Sequence, residues 1–93
     1  MIENVKKYVK SISILLQSNG ENNLAHYMDQ LLSIAEEDPE YFIDNVKRLF
    51  GGMGSLNDVV FSLNGKPLIE ENNQLDELRR KLYEACFSYK YKS

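Results

Sequence analysis

Apolar residues recur three and four positions apart through the first half of the chain, which is the spacing of one face of an α-helix. The first run predicts a helix over about residues 3–18, and the second predicts a helix over about residues 22–36. A third helix is expected to begin at Asp38-Pro39, because aspartate caps helices and proline suits the first helical position, and to end at Gly51. These patterns are carried by Val5, Val9, Ile12, Leu16, Leu24, Tyr27, Met28, Leu31, Ala35, Phe42, Val46 and Leu49.

The pattern changes after the third helix. Residues 58–63 are β-branched and apolar, and Asn64-Gly65 separates them from residues 66–69. Asn-Gly between two such runs is typical of a β-hairpin. The competing interpretation is a short helix that Ser55 caps and Gly65 ends. We favour the hairpin.

A last helix is expected over about residues 73–88. Its apolar face consists of Leu75, Leu78, Leu82, Ala85, Cys86 and Tyr89. On the outer face, Asp76 and Arg80 stand one turn apart and are expected to pair. The elements together predict an α+β fold that is predominantly α, with four helices and a small β-hairpin between helices three and four. Residues 1–93 should form a single domain, because a chain of this length supports one modest core.

Composition excludes several classes of protein. A content of 43% apolar and 27% charged residues is typical of a globular domain, which argues against disorder over the whole length. One cysteine, Cys86, allows no intramolecular disulfide and favours a reducing compartment. The N-terminal segment lacks the pattern of a signal peptide, and no run approaches the ~20 apolar residues of a membrane span. We therefore expect a cytoplasmic protein that does not enter a membrane.

Charge is distributed unevenly along the chain. The net charge is −3, but residues 21–40 contain six acidic residues and neither lysine nor arginine, whereas residues 1–20 carry a net +2. An acidic stretch of this kind repels nucleic acid and attracts a basic partner, mainly by raising the encounter rate. Because of this repulsion, the sequence predicts no binding of nucleic acid. A charge run at a helix junction is usually just solvated, and contact with a protein partner is the alternative interpretation.

Few residues are suited to catalysis or metal binding. His26 and Cys86 are single representatives of their types and cannot make a zinc site. Cys86 lies on the predicted buried face, where a thiol has a raised pKa, and His26 is expected at the boundary of the second helix. We therefore predict no catalytic residue, no cofactor and no metal. A small enzyme that uses His26 and Cys86 is the minor rival hypothesis.

Three glycines within residues 51–54 form the break after helix three. They indicate either a tight corner or a nest of backbone N–H groups that could bind an anion. A phosphate-binding loop needs a preceding strand and a following lysine, and both are absent from the pattern here. Ser55, Asn57 and Asp58 can hydrogen-bond the loop backbone and so make a rigid polar corner. Such a corner next to an acidic stretch is a plausible docking surface.

The same loop carries a resemblance to known proteins. Residues 49–60, Leu-Phe-Gly-Gly-Met-Gly-Ser-Leu-Asn-Asp-Val-Val, resemble the signature of a small bacterial domain family of poorly characterised proteins. That family also shows the later pattern Glu70-Glu71-Asn72, Leu75, Leu78-Arg79 and Leu82-Tyr83, so the resemblance spans about residues 46–86. Members of this kind are similar to the small immunity proteins that are encoded beside contact-dependent or polymorphic toxins. The resemblance supplies no catalytic residues.

The resemblance implies a bacterial, cytoplasmic immunity protein that binds a cognate toxin domain and neutralises it by protein–protein contact. A nuclease toxin is expected, because nucleases are commonly basic and an acidic inhibitor matches their field. The expected contact residues are Asp29, Glu36, Glu37, Asp38, Glu40, Ser55, Asn57 and Asp58. The alternative is a small helical adaptor or regulatory protein that also acts by protein binding, for example as a homodimer; the sequence leaves the oligomeric state open.

Overall fold

The computed structural model describes residues 2–51 and 56–90. Its helices are α1 (Ile2–Ser18), α2 (Asn22–Ile34), α3 (Pro39–Arg48) and α4 (Ile69–Phe87), and between α3 and α4 lie a 3₁₀ turn (Leu56–Asp58) and the strands β1 (Ser62–Leu63) and β2 (Lys66–Pro67). The expected fold class is confirmed: the chain is predominantly α, with a small antiparallel hairpin between helices three and four.

Helix α1 lies at the centre of the fold. It packs along both α2 and α4, while α3 contacts the same two helices. The predicted apolar face of α1, which comprises Val5, Val9, Ile12 and Leu16, is completely buried. Because burial of apolar side chains is the main favourable term in folding, this face holds the other helices together.

The start of α3 follows from two adjacent residues, Asp38 and Pro39. The Asp38 carboxylate accepts a hydrogen bond from the backbone N–H of Tyr41 at 3.1 Å, and Pro39 occupies the first helical position, as predicted. A residue before proline is driven out of the α region, and Asp38 has φ −141°. Helix α2 ends earlier, at Ile34, two residues before the predicted limit, and residues 35–37 form the turn that leads to Asp38.

The segment between α3 and α4 contains elements of both competing interpretations. Of the predicted first strand, Asp58 lies in the 3₁₀ turn and residues 59–61 form no regular element, so β1 is only two residues long. Asn64 and Gly65 have φ values of 54° and 79°, as a tight hairpin turn with two left-handed residues requires. The ladder pairs Ser62 with Pro67 and Leu63 with Lys66.

Helix α4 begins at Ile69, four residues before the predicted start. The carbonyl of Leu68 accepts the backbone N–H of Asn72 at 2.9 Å, and Glu70 and Glu71 lie in the first turn, where the helix dipole favours negative charge. The apolar periodicity does not extend to this turn, because Ile69 is 72% exposed and the three residues that follow it are polar. Periodicity detects the buried part of a helix and misses an exposed end.

Candidate partner-binding surfaces

Four of the predicted contact residues cluster at the turn between α2 and α3. We call Glu36, Glu37, Asp38 and Glu40 the acidic corner. The first three are exposed and Glu40 is half-buried. Asp38 holds the corner in place, because its carboxylate caps α3. The outward-facing charge of the corner therefore comes mainly from the other three side chains.

Lys6 of α1 reaches across to the acidic corner. Its ammonium group donates a hydrogen bond to Glu36 and lies 3.9 Å from the carboxylate of Glu3. The hydrogen bond to Glu36 raises the pKa of Lys6. Lys6 thus partly neutralises the Glu36 carboxylate, which lowers the net negative charge of the corner. The pair could not be predicted from the sequence, because thirty positions separate Lys6 from Glu36.

Two tyrosines lie on the surface of α2 and α3. Tyr41 is 53% exposed and directly follows Glu40, and Tyr27 is 38% exposed. Asn45 connects them: its Oδ1 lies 3.4 Å from the Tyr27 hydroxyl, and its Nδ2 donates to the Tyr41 carbonyl at 2.8 Å. Tyrosine is enriched among the residues that dominate binding energy in protein interfaces. This face combines such anchors with negative charge.

Asp29 belongs to a different environment. Its Oδ1 accepts a hydrogen bond from the Ser13 hydroxyl at 2.7 Å, and Ser13 itself is buried. Asp29 therefore ties α2 to α1. It shares a cavity of about 230 Å³ with His26, whose ring lies 3.3 Å from the amide of Gln30. Asp29 lies outside the acidic corner, but its side chain is exposed, and its contact with a partner stays a prediction.

The polar corner after the glycines is only partly described. Ser55 lies outside the described residues. Asn57 donates from Nδ2 to the Phe50 carbonyl at 3.0 Å, so it does hydrogen-bond the loop backbone as predicted. Asp58 instead faces the first turn of α2. Because α2 has 13 residues and is about 20 Å long, Asp58 and the acidic corner lie toward opposite ends of that helix.

Asp58 forms one side of a groove that the sequence did not predict. We call it the acidic groove; its volume is about 570 Å³, and its lining includes Glu21, Asn23, Leu24, Tyr27, Asp58 and Val60. Neither lysine nor arginine contributes to the described lining. The two walls are more than thirty positions apart in sequence, so only the tertiary fold brings residues 58–60 close to the first turns of α2.

Cys86 and His26 lie in different environments. The Cys86 side chain is completely buried, and burial raises its pKa to about 11. Its thiol lies 3.6 Å from the Tyr83 carbonyl, whereas His26 is exposed on α2. The prediction that Cys86 is a buried thiol with a raised pKa is confirmed.

Within the described ranges 2–51 and 56–90, no group of three or more His, Cys, Asp and Glu side chains is arranged so that it could hold a metal ion. In the same ranges, every helix is too short or too polar to cross a membrane.

Residues 17–69 match the family described as "Domain of unknown function (DUF6966)", which is more than half of the chain. The chain belongs to this family. The DUF6966 match runs from the end of α1 to the first residue of α4, and it includes the acidic corner and both walls of the acidic groove. No curated protein matches this DUF6966 chain. No solved structure matches it either.

Proposed function

We propose that this DUF6966 protein is a cytoplasmic immunity protein that binds a cognate bacterial toxin, a basic nuclease domain, and neutralises it by protein contact. The observation that carries the proposal is the acidic corner, where four carboxylates within five residues stand beside the exposed ring of Tyr41. The resemblance of residues 49–60 to a family similar to immunity proteins supports it.

The geometry suggests a division of roles within the corner. Asp38 is engaged in capping α3 and Glu36 is paired with Lys6, so Glu37 and Glu40 are assigned most of the electrostatic attraction of the toxin, and Glu36 a smaller share. Tyr41 supplies an aromatic contact that is half exposed before binding. Charges of this kind mainly raise the association rate, whereas a buried aromatic contact slows dissociation.

The toxin can be identified by affinity capture from the native organism, using the tagged chain and a moderate-salt wash, followed by mass spectrometry. A captured basic domain is then expressed under an inducible promoter. We expect it to stop growth, and co-expression of this chain to restore growth. A captured protein that is harmless when expressed would contradict the immunity function.

Reversal of the corner charges should slow association with that toxin. The variant Glu36→Lys, Glu37→Lys, Glu40→Lys is expected to lose about ten-fold or more in association rate at low salt and to show a flatter salt dependence. Asp38 is kept, because its loss would uncap α3. Stopped-flow association across a range of salt concentrations measures both effects.

A matched control places the same charges elsewhere. Glu70→Lys, Glu77→Lys and Glu84→Lys lie on α4, and each triple variant changes the net charge from −3 to +3, because every reversal adds two charges. The control should retain more of the association rate than the corner variant. Equal rates for the two variants would assign the effect to net charge and remove the corner from the interface.

One observation favours the alternative function of an adaptor that forms a homodimer. A groove of about 380 Å³ between α1 and α4 includes Leu15, Leu78 and Ile14, and Ile14 is 54% exposed. Self-association through this groove would bury Ile14. Sedimentation of the isolated chain tests this form of the adaptor: a mass that rises with concentration supports the homodimer, and a monomer at every concentration removes it.

A further inference from the structure

The acidic groove combines an apolar floor with two carboxylates. Leu24 and Tyr27 of α2 face Val60, which is 63% exposed, and Glu21 and Asp58 stand with them in the lining. Glu21 occupies the N-cap position of α2 without making a capping hydrogen bond through its side chain. Within residues 2–51 and 56–90, its carboxylate forms no ion pair.

Side chains of α4 hydrogen-bond the backbone of the wall that contains Val60. Arg79 donates to the carbonyl oxygens of Leu56 at 2.9 Å and Val59 at 3.4 Å. The Asn72 amide makes two hydrogen bonds to the backbone of Phe61, at 2.7 and 2.9 Å. The wall is therefore fixed on both sides of Val60 before any ligand binds, which lowers the entropic cost of binding.

The electrostatics of the groove favour a cation. The Glu21 carboxylate carries one negative charge, which the N-terminus of α2 offsets by only about half a charge, and Asp58 places a second carboxylate in the lining. An anion would be repelled, and a purely apolar ligand would strip water from the carboxylates without replacing it. A long alkyl chain that ends in a cation suits both the apolar floor and the carboxylates of the groove. Its methylene groups cover Leu24 and Val60, and its charge stays near Glu21 and Asp58.

We propose that the acidic groove binds an arginine side chain presented by the partner protein. Arginine fits better than lysine, because a planar guanidinium can stack on the Tyr27 ring while it hydrogen-bonds a carboxylate. The inference rests on the proposed function, since it makes the groove a second contact for the basic toxin at the other end of α2. All residues of the groove lie within the segment that matches the family.

The groove can be tested without the toxin. N-acetyl-arginine amide is titrated into the ¹⁵N-labelled chain, and N-acetyl-citrulline amide serves as the neutral ligand of the same shape. We expect saturable amide shifts within residues 21–27 and 58–60, with millimolar affinity for arginine and no saturation with citrulline. Equal shifts with both ligands, or shifts spread over all the acidic surfaces, would overturn the inference.

Three variants sharpen the test. Glu21→Gln should weaken arginine binding about two- to five-fold, as expected for one exposed carboxylate, whereas Glu37→Gln in the acidic corner should leave it unchanged. Val60→Lys introduces a competing cation at an exposed position and should abolish the shifts. Unaltered binding in Glu21→Gln or in Val60→Lys would exclude the groove.

The two proposals can fail separately. If arginine does not bind but the corner variant still loses association with the toxin, the groove inference fails and the immunity function stands. If arginine binds in the groove but no captured protein is toxic, the immunity function fails and the groove remains a cation-binding site.

Discussion

At the residue scale, Cys86 shows how the core controls the chemistry of a side chain. The thiol is completely buried, and desolvation raises its pKa from an ordinary 9.0 to about 11, despite the opposing attraction of Lys47. A thiolate is therefore scarce at neutral pH, and the side chain acts as a small apolar group in the core.

The raised pKa of Cys86 makes stability depend on alkaline pH. The folded protein holds the thiol proton more tightly than the unfolded chain, so the stabilisation is complete below about pH 9 and is lost as pH rises toward 11. The free energy of unfolding is expected to fall by about 1.4 kcal/mol per pH unit between the two pKa values, which is roughly 1–3 kcal/mol in all. Urea unfolding of the wild type and of Cys86→Ala between about pH 8 and 11 measures it.

The free energy of unfolding is plotted against pH for the wild type and for Cys86→Ala. The difference between the two plots gives the effect of the thiol, because the tyrosine and lysine titrations are common to both proteins. The free energy of unfolding should fall more steeply with pH for the wild type than for Cys86→Ala. Parallel curves would show that the Cys86 pKa is the same in the folded and unfolded states.

At the scale of elements, two polar side chains of α4 attach the irregular segment 56–61 to the helices. Arg79 binds carbonyls of the 3₁₀ turn, and it also pairs with Asp76. Sequence spacing had paired Asp76 with Arg80, but Arg80 binds Glu84 instead. Arg79 contacts both the turn and Asp76 because its side chain lies against residues 56–59, whereas the Arg80 side chain points toward solvent.

Asn72 provides a sharper test, because a similar residue follows it. Asn72→Ala should lower the free energy of unfolding by about 1–3 kcal/mol, because the Phe61 N–H and C=O each lose a partner in a part-buried site. Asn73→Ala is the control: Asn73 is exposed on the same turn, and the change in helix propensity is the same. Urea unfolding measures both, and equal effects would show that the Asn72 bonds add no stability.

At the scale of the whole molecule, the fold extends beyond the segment that defines the family. The match ends at residue 69, but Leu75, Leu82 and Cys86 of α4 are completely buried and α4 packs along α1. Without α4, the apolar face of α1 would lose one of its two main partners. Helix α4 is therefore an integral part of the domain.

A chain truncated after Leu68 should consequently fail to fold. Its remaining core would be too small to offset the conformational entropy of the ordered chain. We expect weak helical circular dichroism and no cooperative transition in urea, in contrast to the full chain. Cooperative unfolding of the truncated chain would show that α1 to β2 form an independent unit.

Much of the fold was predictable from local patterns. The apolar spacing identified α1, α2 and α3, and Asp38-Pro39 and Asn64-Gly65 marked a helix start and a hairpin turn correctly. The first turn of α4 and the shortness of the strands were missed. The first turn of α4 is exposed and therefore has no apolar periodicity, and the path of the chain at the strands depends on hydrogen bonds of Phe61 to Leu68 and Asn72, seven and eleven positions away.

The accumulation of negative charge, the apolar faces of the helices and the burial of Cys86 follow from residue type and from spacing within one element, and could be predicted without coordinates. The contacts of Lys6 with Glu36 and of Asp29 with Ser13, and the position of Asp58 across a groove from Glu21, follow from the packing of the helices. These contacts join side chains from different elements, and their partners are set by how the helices pack rather than by local preference.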